Sequence, residues 1–345
     1  MLSLIADYRQ GLGFSRLRRR ILAAHLLLRN IEVASPNIYP ERCYTSQGHP
    51  YDLYEPSRLV HSTVLMVYGF TLAGEKELRL IRFARAFATA GFRVVVPDLP
   101  GLKLLDLTTG DLELLVNMIA FLHGKSAGPI GLIGFSVGGG IALTAAANPV
   151  VCGYINSILL FGPHYSLPDL WTYMWQGDVR LPETDDAWDD FIWQQLTLAY
   201  RQRQALGLSA AEQAEIADLL KTYCSKPSLK QKQEAYERLV RPHGLLDARY
   251  ELVDLAVLES LSPCGKLGML PARVLILHDS HDSLIPPSQS RYILTELQQR
   301  GMPHSERLVI TPLLSHVSPR AVLKFSDLFT ILDMFGEMFP DSNKV

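Results

Sequence analysis

The residues able to do chemistry concentrate in three short stretches. The first, Gly134-Phe135-Ser136-Val137-Gly138, lies between an apolar run and a run of small residues. Glycines on both sides of a serine permit a sharp strand-to-helix turn that strains the serine backbone and lifts its hydroxyl above a sheet. A helix opening at Ser136 aims its free N–H groups and positive dipole end at any oxyanion forming there. A serine hydroxyl is a weak nucleophile near neutral pH, so it needs a base, and the base needs an orienting partner. The other two stretches, His278-Asp279-Ser280-His281-Asp282-Ser283 and Leu314-Ser315-His316-Val317, hold the residue types for those roles. Imidazole and carboxylate are also good metal ligands. However, His278, Asp279, His281 and Asp282 all come from one turn without a distant ligand pair, so no metal is expected. Gly138-Gly139-Gly140 lacks the Lys-Ser/Thr ending of a phosphate-binding loop.

These stretches must be carried by elements that bring them to one place. From residue 41 onward apolar runs alternate with helical patterns. Arg42 to Tyr54 reads as a hairpin around Gly48, and Ser62 to Tyr68, Phe92 to Val96, Ile130 to Ile133 and Ser157 to Phe161 read as strands. Helices are expected from Glu75 to Ala90, with Leu80, Phe83, Ala84 and Phe87 on one stripe, from Asp111 to His123 and from Gly138 to Ala147. The alternation stops over 165–262, where only helical patterns occur, including capping-box spacings at Ser209/Glu212 and Ser228/Gln231. It resumes with a strand at Ala272 to Leu277, a helix at Tyr292 to Arg300, and a strand at Arg307 to Ile310. A last amphipathic helix then opens at Ser318-Pro319 and runs through Val322, Phe325, Phe329 and Leu332. Such alternation implies right-handed crossovers and a mainly parallel, doubly wound sheet, whose chemistry sits beyond the carboxyl ends of its strands. The expected organisation is an N-terminal segment 1–40, a core domain 41–164 and 263–345, and a helical cap 165–262 inserted after the sixth strand.

The pentapeptide around Ser136, in its strand-to-helix setting, resembles the nucleophile elbow of the α/β-hydrolase superfamily. The resemblance extends to His278 through Pro286, similar to that family's His-Gly-x-x-Asp-x-x-Val/Ile-Pro turn, and implies that Asp282 is the triad acid. Asp279 stands where the family usually has glycine and is a competing acid. Leu314-Ser315-His316 falls where the family carries its catalytic histidine, which makes His316 the base and leaves the other histidines, His49, His61, His123, His243 and His304, outside the chemistry. The resemblance also implies an oxyanion hole from the N–H groups of Val137 and, through the Tyr68-Gly69-Phe70-Thr71 loop, Phe70. Tyr68 replaces the usual histidine and is either a structural residue or a hydroxyl donor to the oxyanion. The implied activity is serine hydrolysis of a carboxylic ester. Thioester, lactone and amide or peptide cleavage on the same triad are alternatives, as is a non-catalytic binding protein of the same fold. No cofactor is implied.

The cap carries all four tryptophans, Trp171, Trp175, Trp188 and Trp193, which makes it an aromatic wall for an apolar acyl or aryl group of a small ester substrate, or else the packing between cap and core. With 33 basic against 35 acidic residues there is no overall basic field to hold nucleic acid. Cys43, Cys152, Cys224 and Cys264 are too scattered for a metal knuckle. A reduced, cytoplasmic setting is expected. The apolar run Ile21 to Leu28 is too short to span a bilayer, which requires about 20 residues. On a helix, Phe14, Leu17, Ile21, Ala24 and Leu28 share one face opposite Arg16, Arg19 and Arg20. Residues 14–28 therefore pack on this domain or a second subunit, or form a peripheral membrane contact.

Overall fold

The computed structural model describes residues 38–56, 62–126, 128–176, 185–222, 227–243, 254–300, 306–312, 314–316 and 318–319. The expected helices over 14–28 and 322–332, together with His61 and His304, lie outside the described residues.

Eight strands form one sheet in the order β1-β2-β4-β3-β5-β6-β7-β8. They are β1 (Glu41–Tyr44), β2 (Pro50–Tyr54), β3 (Ser62–Val67), β4 (Phe92–Pro97), β5 (Ile130–Phe135), β6 (Ile155–Phe161), β7 (Arg273–Asp279) and β8 (Glu306–Thr311). The β1–β2 hairpin joins β4 antiparallel, and every pairing from β4 to β8 is parallel. The central strands are almost wholly apolar and buried along their length, which fits a parallel sheet covered on both faces. Crossovers run through α1 (Leu78–Thr89), the short α2 (Pro100–Lys103), α3 (Thr109–Lys125), α4 (Ser136–Ala146) and α10 (Ser288–Gln298).

Helix α1 starts later than its apolar stripe predicts. Gly74 has a positive φ of 55° and Glu77 is extended, its carboxylate capping Leu80 N–H, so a separate 3-10 turn occupies Gly74–Lys76. Glu75 is turned inward, where Arg42 reaches it at 3.3 Å and Lys103 at 3.3 Å. Arg42 also holds Asp52 of β2 at 2.9 Å and Asp98 after β4 at 2.6 Å. This network ties the loops after β3 and β4 to the hairpin.

Between β6 and β7 lie α5 (Leu167–Gln176), α6 (Asp185–Arg201), α7 (Ala210–Thr222), α8 (Leu229–Leu239) and α9 (Leu255–Leu261), with no strand among the described residues of that stretch. Both capping boxes form: Ser209 N–H donates to Glu212 at 2.8 Å and Ser228 N–H to Gln231 at 2.8 Å. A second cluster of buried side chains forms around Ile192, Leu196, Ile216, Leu239 and Val240 and includes Leu105 from the loop after α2. No helix among the described residues is long and apolar enough to cross a membrane.

One expected element is replaced. Where a helix should begin at Ser318-Pro319, β9 (Leu314–Ser315) and β10 (Ser318–Pro319) form an antiparallel pair, with His316 in the turn that joins them. Proline suits a first helical position, but it suits an edge strand equally well, and a tight turn between two such short strands leaves no periodicity in the sequence.

Candidate active site

Ser136 is placed by the junction of β5 and α4. Its φ of 52° is the left-handed conformation expected of a sharp elbow and strained for a side chain. Two glycines make the turn possible. A Cβ on Gly138 would stand 1.7 Å from Tyr68 O, and one on Gly134 would stand 2.6 Å from Gly139 Cα. Aromatic packing fixes the base of the elbow: Phe135 stacks on Phe161 at 4.9 Å, and Phe83 of α1 meets both edge-on at 5.4 and 5.6 Å.

His316 occupies the β9–β10 turn with a positive φ of 54°. Its Nε2 is 2.9 Å from Ser136 Oγ and its Nδ1 is 2.6 Å from Asp282 Oδ2. A carboxylate only accepts, so Nδ1 carries the proton and Nε2 is left to accept from the serine hydroxyl. The three residues far apart along the chain thus meet beyond the carboxyl ends of β5 and β7.

Asp282 is held by several groups. Its Oδ1 accepts from Leu284 N–H at 3.0 Å and Ile285 N–H at 2.9 Å. Burial alone would raise its pKa, but the charge of His316 and bonds from His278 and His316 outweigh that and hold it well below the usual carboxylate range. Asp279, the competing acid, plays a different part. Its Oδ2 accepts the backbone N–H of His316 at 3.1 Å, so it holds the main chain of the histidine while Asp282 holds the ring. His278 supports Asp282 from behind. Its Nε2 is 2.8 Å from Ile285 O and 3.4 Å from Asp282 Oδ2, while Ser290 Oγ stands 2.6 Å from Nδ1. A carbonyl accepts only, which puts the His278 proton on Nε2 and makes Ser290 the donor to Nδ1. Among the described residues no group of three or more His, Cys, Asp or Glu is arranged to hold a metal ion.

The two segments expected to supply oxyanion donors both lie next to Ser136. Val137 is in the first turn of α4, where helical N–H groups lack intrahelical partners. The loop after β3 crosses directly above the serine, since a Cβ on Gly69 would lie 2.9 Å from Ser136 Cβ, and Phe70 follows it. Tyr68 is a correction to the donor reading. Its buried hydroxyl accepts from Leu99 N–H at 2.7 Å and donates to Leu99 O at 3.3 Å, so it is taken up in joining the loops after β3 and β4. Tyr68→Phe is expected to keep turnover within about twofold while lowering stability by about 1–3 kcal/mol for the orphaned Leu99 N–H, as denaturant unfolding would measure. A large loss of kcat at unchanged stability would restore the donor reading.

A small pocket adjoins Phe70 and Val137. Leu167, Leu170, Trp171 and Met174 of α5, with Trp193 of α6, supply its largely apolar wall. Of the four tryptophans, then, Trp171 and Trp193 line it. Trp188 does not: it packs edge-on against Phe191 at 5.7 Å, beside the cluster around Ile192 and Leu196. The side chain of Trp175 lies outside those described.

Three groups escaped the sequence reading. Asp190 of α6 accepts a hydrogen bond from Ser283 Oγ, the residue after Asp282. Burial pushes its carboxyl up to about 6, against the lowering effect of Ser283 and His316. Nothing in the Trp188-Asp189-Asp190 pattern distinguishes an inward acid from a solvated one. His164 is wholly buried, its Nε2 3.3 Å from Leu261 O, and burial lowers its pKa to about 4, so it is a neutral packing residue. His123, left outside the chemistry by the sequence, stacks flat on Tyr154 at 4.0 Å with Nδ1 buried.

The sequence model of the alpha/beta hydrolase fold family matches residues 62–313, more than half of the chain. The chain belongs to that family. No curated protein matches it. Among solved structures it is similar to a serine hydrolase from the polyaromatic-hydrocarbon-degrading bacterium Cycloclasticus zankles, at 15% identity over 88% of this chain and 100% of that one, with a TM-score of 0.50. It is also similar to a meta-cleavage product hydrolase from Pseudomonas fluorescens IP01, at 14% identity over 86% of this chain and 98% of that one, with a TM-score of 0.47. An acylaminoacyl peptidase from Pyrococcus horikoshii is similar at 13% identity over 83% of this chain, with a TM-score of 0.45, and the match spans 38% of that longer protein.

Proposed function

We propose that this protein is a serine hydrolase that cleaves a carboxylic ester through a covalent acyl-enzyme. The observation that carries the reading is the continuous relay from Ser136 Oγ through the His316 ring to Asp282. The Ser136 hydroxyl gives its proton to His316 Nε2 as its oxygen bonds to the ester carbonyl carbon. The carbonyl oxygen becomes an oxyanion facing the N–H groups of Val137 and Phe70. When the tetrahedral species collapses, the carbon–oxygen bond to the alcohol breaks and His316 protonates the departing alkoxide. Water then attacks the acyl carbon, His316 takes its proton, and the carboxylic acid leaves as Ser136 recovers its hydrogen. The apolar pocket beside the oxyanion donors suits an acyl chain or aryl group.

The test is labelling by a fluorophosphonate, with turnover of p-nitrophenyl esters of increasing chain length and of an aminoacyl anilide. Ser136 takes the label, Ser136→Ala does not, and esters are preferred over the anilide. Anilide turnover exceeding that of every ester would replace the ester reading with a peptidase one, and an unlabelled Ser136 in folded protein would leave a binding protein.

The pH dependence follows from the charges around His316. Burial would lower its pKa, but Asp282 and Asp190 outweigh burial and raise it above 6.5. A general base must be unprotonated, so kcat/KM is expected to rise with pH through a midpoint above 6.5. Asp190→Asn removes one of the two carboxylates and moves that midpoint down, as a pH–rate profile would show. An unmoved midpoint would place Asp190 outside the electrostatics of the base.

A further inference from the structure

We infer that the pocket beside Ser136 contains a subsite for a carboxylate carried at the far end of the acyl chain, so that the favoured esters are those of dicarboxylic acids with one acid group left free. The inference rests on the ester reading above. Helix α6 sends Gln194, Thr197 and Arg201, three or four positions apart and hence on one helix face, into a wall that is otherwise largely apolar.

Two of these residues offer donors that the protein leaves unmatched. Thr197 is 8% exposed, and its hydroxyl is buried without a hydrogen-bond partner. A helical threonine ordinarily returns that hydroxyl to the carbonyl one turn back, and here it does not. Leaving such a group dry and unpaired is unfavourable unless a ligand completes it.

Arg201 sits with its guanidinium over the Trp171 ring, 5.6 Å from its centroid, and its side chain is 14% exposed. One of its five donors bonds Asp106 Oδ1 at 3.2 Å, on a side chain that is 54% exposed and therefore well screened. Burial lowers the pKa of Arg201 from its ordinary value, against the opposing effect of Asp106. The flat fork of a guanidinium matches a carboxylate through two parallel hydrogen bonds, and the neighbouring hydroxyl adds a third donor. The direction of the chain follows from the other end of the same pocket. Phe70 and Val137, whose N–H groups are proposed above to hold the oxyanion, line the same pocket, so on that reading the chain that enters it is the acyl chain.

The test is calorimetric titration of the full-length Ser136→Ala protein with monophenyl esters of straight-chain dicarboxylic acids of four to ten carbons, each paired with the methyl phenyl diester of equal length. At the best-fitting length the free carboxylate is expected to bind at least about tenfold more tightly than its diester. Arg201→Gln abolishes that discrimination. Thr197→Val, which removes the hydroxyl at nearly constant volume, reduces the discrimination severalfold and raises the unfolding temperature. Should Arg201→Gln fail to fold, Thr197→Val decides alone. Equal affinity for both partners at every length, or a preference untouched in the folded variants, would overturn the inference. Because Ser136→Ala cannot acylate, these outcomes are independent of the chemistry. A failed hydrolase reading would show instead as wild-type protein that takes no fluorophosphonate label.

Discussion

Replacing Ser136 by alanine is expected to lower kcat by roughly 10^4- to 10^6-fold, the range in which a serine nucleophile with an intact relay operates. The substitution deletes one oxygen from a position whose backbone is fixed by other residues. The elbow is held by the approach of Gly138 to Tyr68 and by the Phe83, Phe135 and Phe161 rings, none of which involves the hydroxyl. Binding of a substrate analogue should therefore persist in Ser136→Ala, and the unfolding temperature should not fall. Residual hydrolysis would come from the oxyanion donors and substrate positioning alone. The measurement is steady-state kinetics beside calorimetry on the same preparation. A loss below about tenfold, with folding intact, would mean that another group attacks the carbonyl.

The second large effect concerns the acid. Asp282→Asn is expected to cost about 10^4-fold in kcat, because an amide side chain stabilises the wrong tautomer of the base and removes the charge that supports the imidazolium. The geometry makes a sharp contrast with its neighbour. Asp282 meets the ring nitrogen of His316 at 2.6 Å, whereas Asp279 meets the backbone nitrogen of the same residue at 3.1 Å. Asp279→Asn should therefore lower stability by about 1.5–3 kcal/mol while costing much less than Asp282→Asn in turnover. The two variants also differ in their pH profiles. Loss of Asp282 removes the largest charge raising the pKa of His316, so the midpoint moves down in whatever activity remains. Were Asp279→Asn the more damaging for turnover, the assignment of the acid would pass to Asp279.

Much of this arrangement was legible in residue order, and the reasons differ by element. The parallel strands announce themselves because a strand buried on both faces is apolar along its buried length, as β5 and positions 158–161 of β6 are. The elbow announces itself because close packing against Tyr68 O excludes any side chain at 138. What stayed hidden depends on contacts between distant segments. Glu75 has the composition of an exposed helical residue, and only contacts with Arg42 of the hairpin and Lys103 of α2 show that it is turned inward. Tyr68 has the position of an oxyanion donor, and only Leu99 reveals that its hydroxyl is taken. Asp190 belongs to an acidic pair on a tryptophan-rich helix, and its place beside Ser283 follows from how that helix crosses the site. Trp188 and Trp193 both read as pocket wall. They lie five positions apart on α6, which places them on different faces, and only Trp193 looks into the pocket.

The most direct trial of the relay is rapid mixing of wild-type protein with a p-nitrophenyl ester at neutral pH, followed by acid quench and mass analysis of the peptides. A working relay predicts a burst of p-nitrophenol close to one equivalent per chain and an acyl group on the peptide bearing Ser136, absent from both Ser136→Ala and His316→Ala. Steady release of p-nitrophenol by wild-type protein with an acyl group on another residue, or with no acylated peptide in any quenched sample, would contradict it.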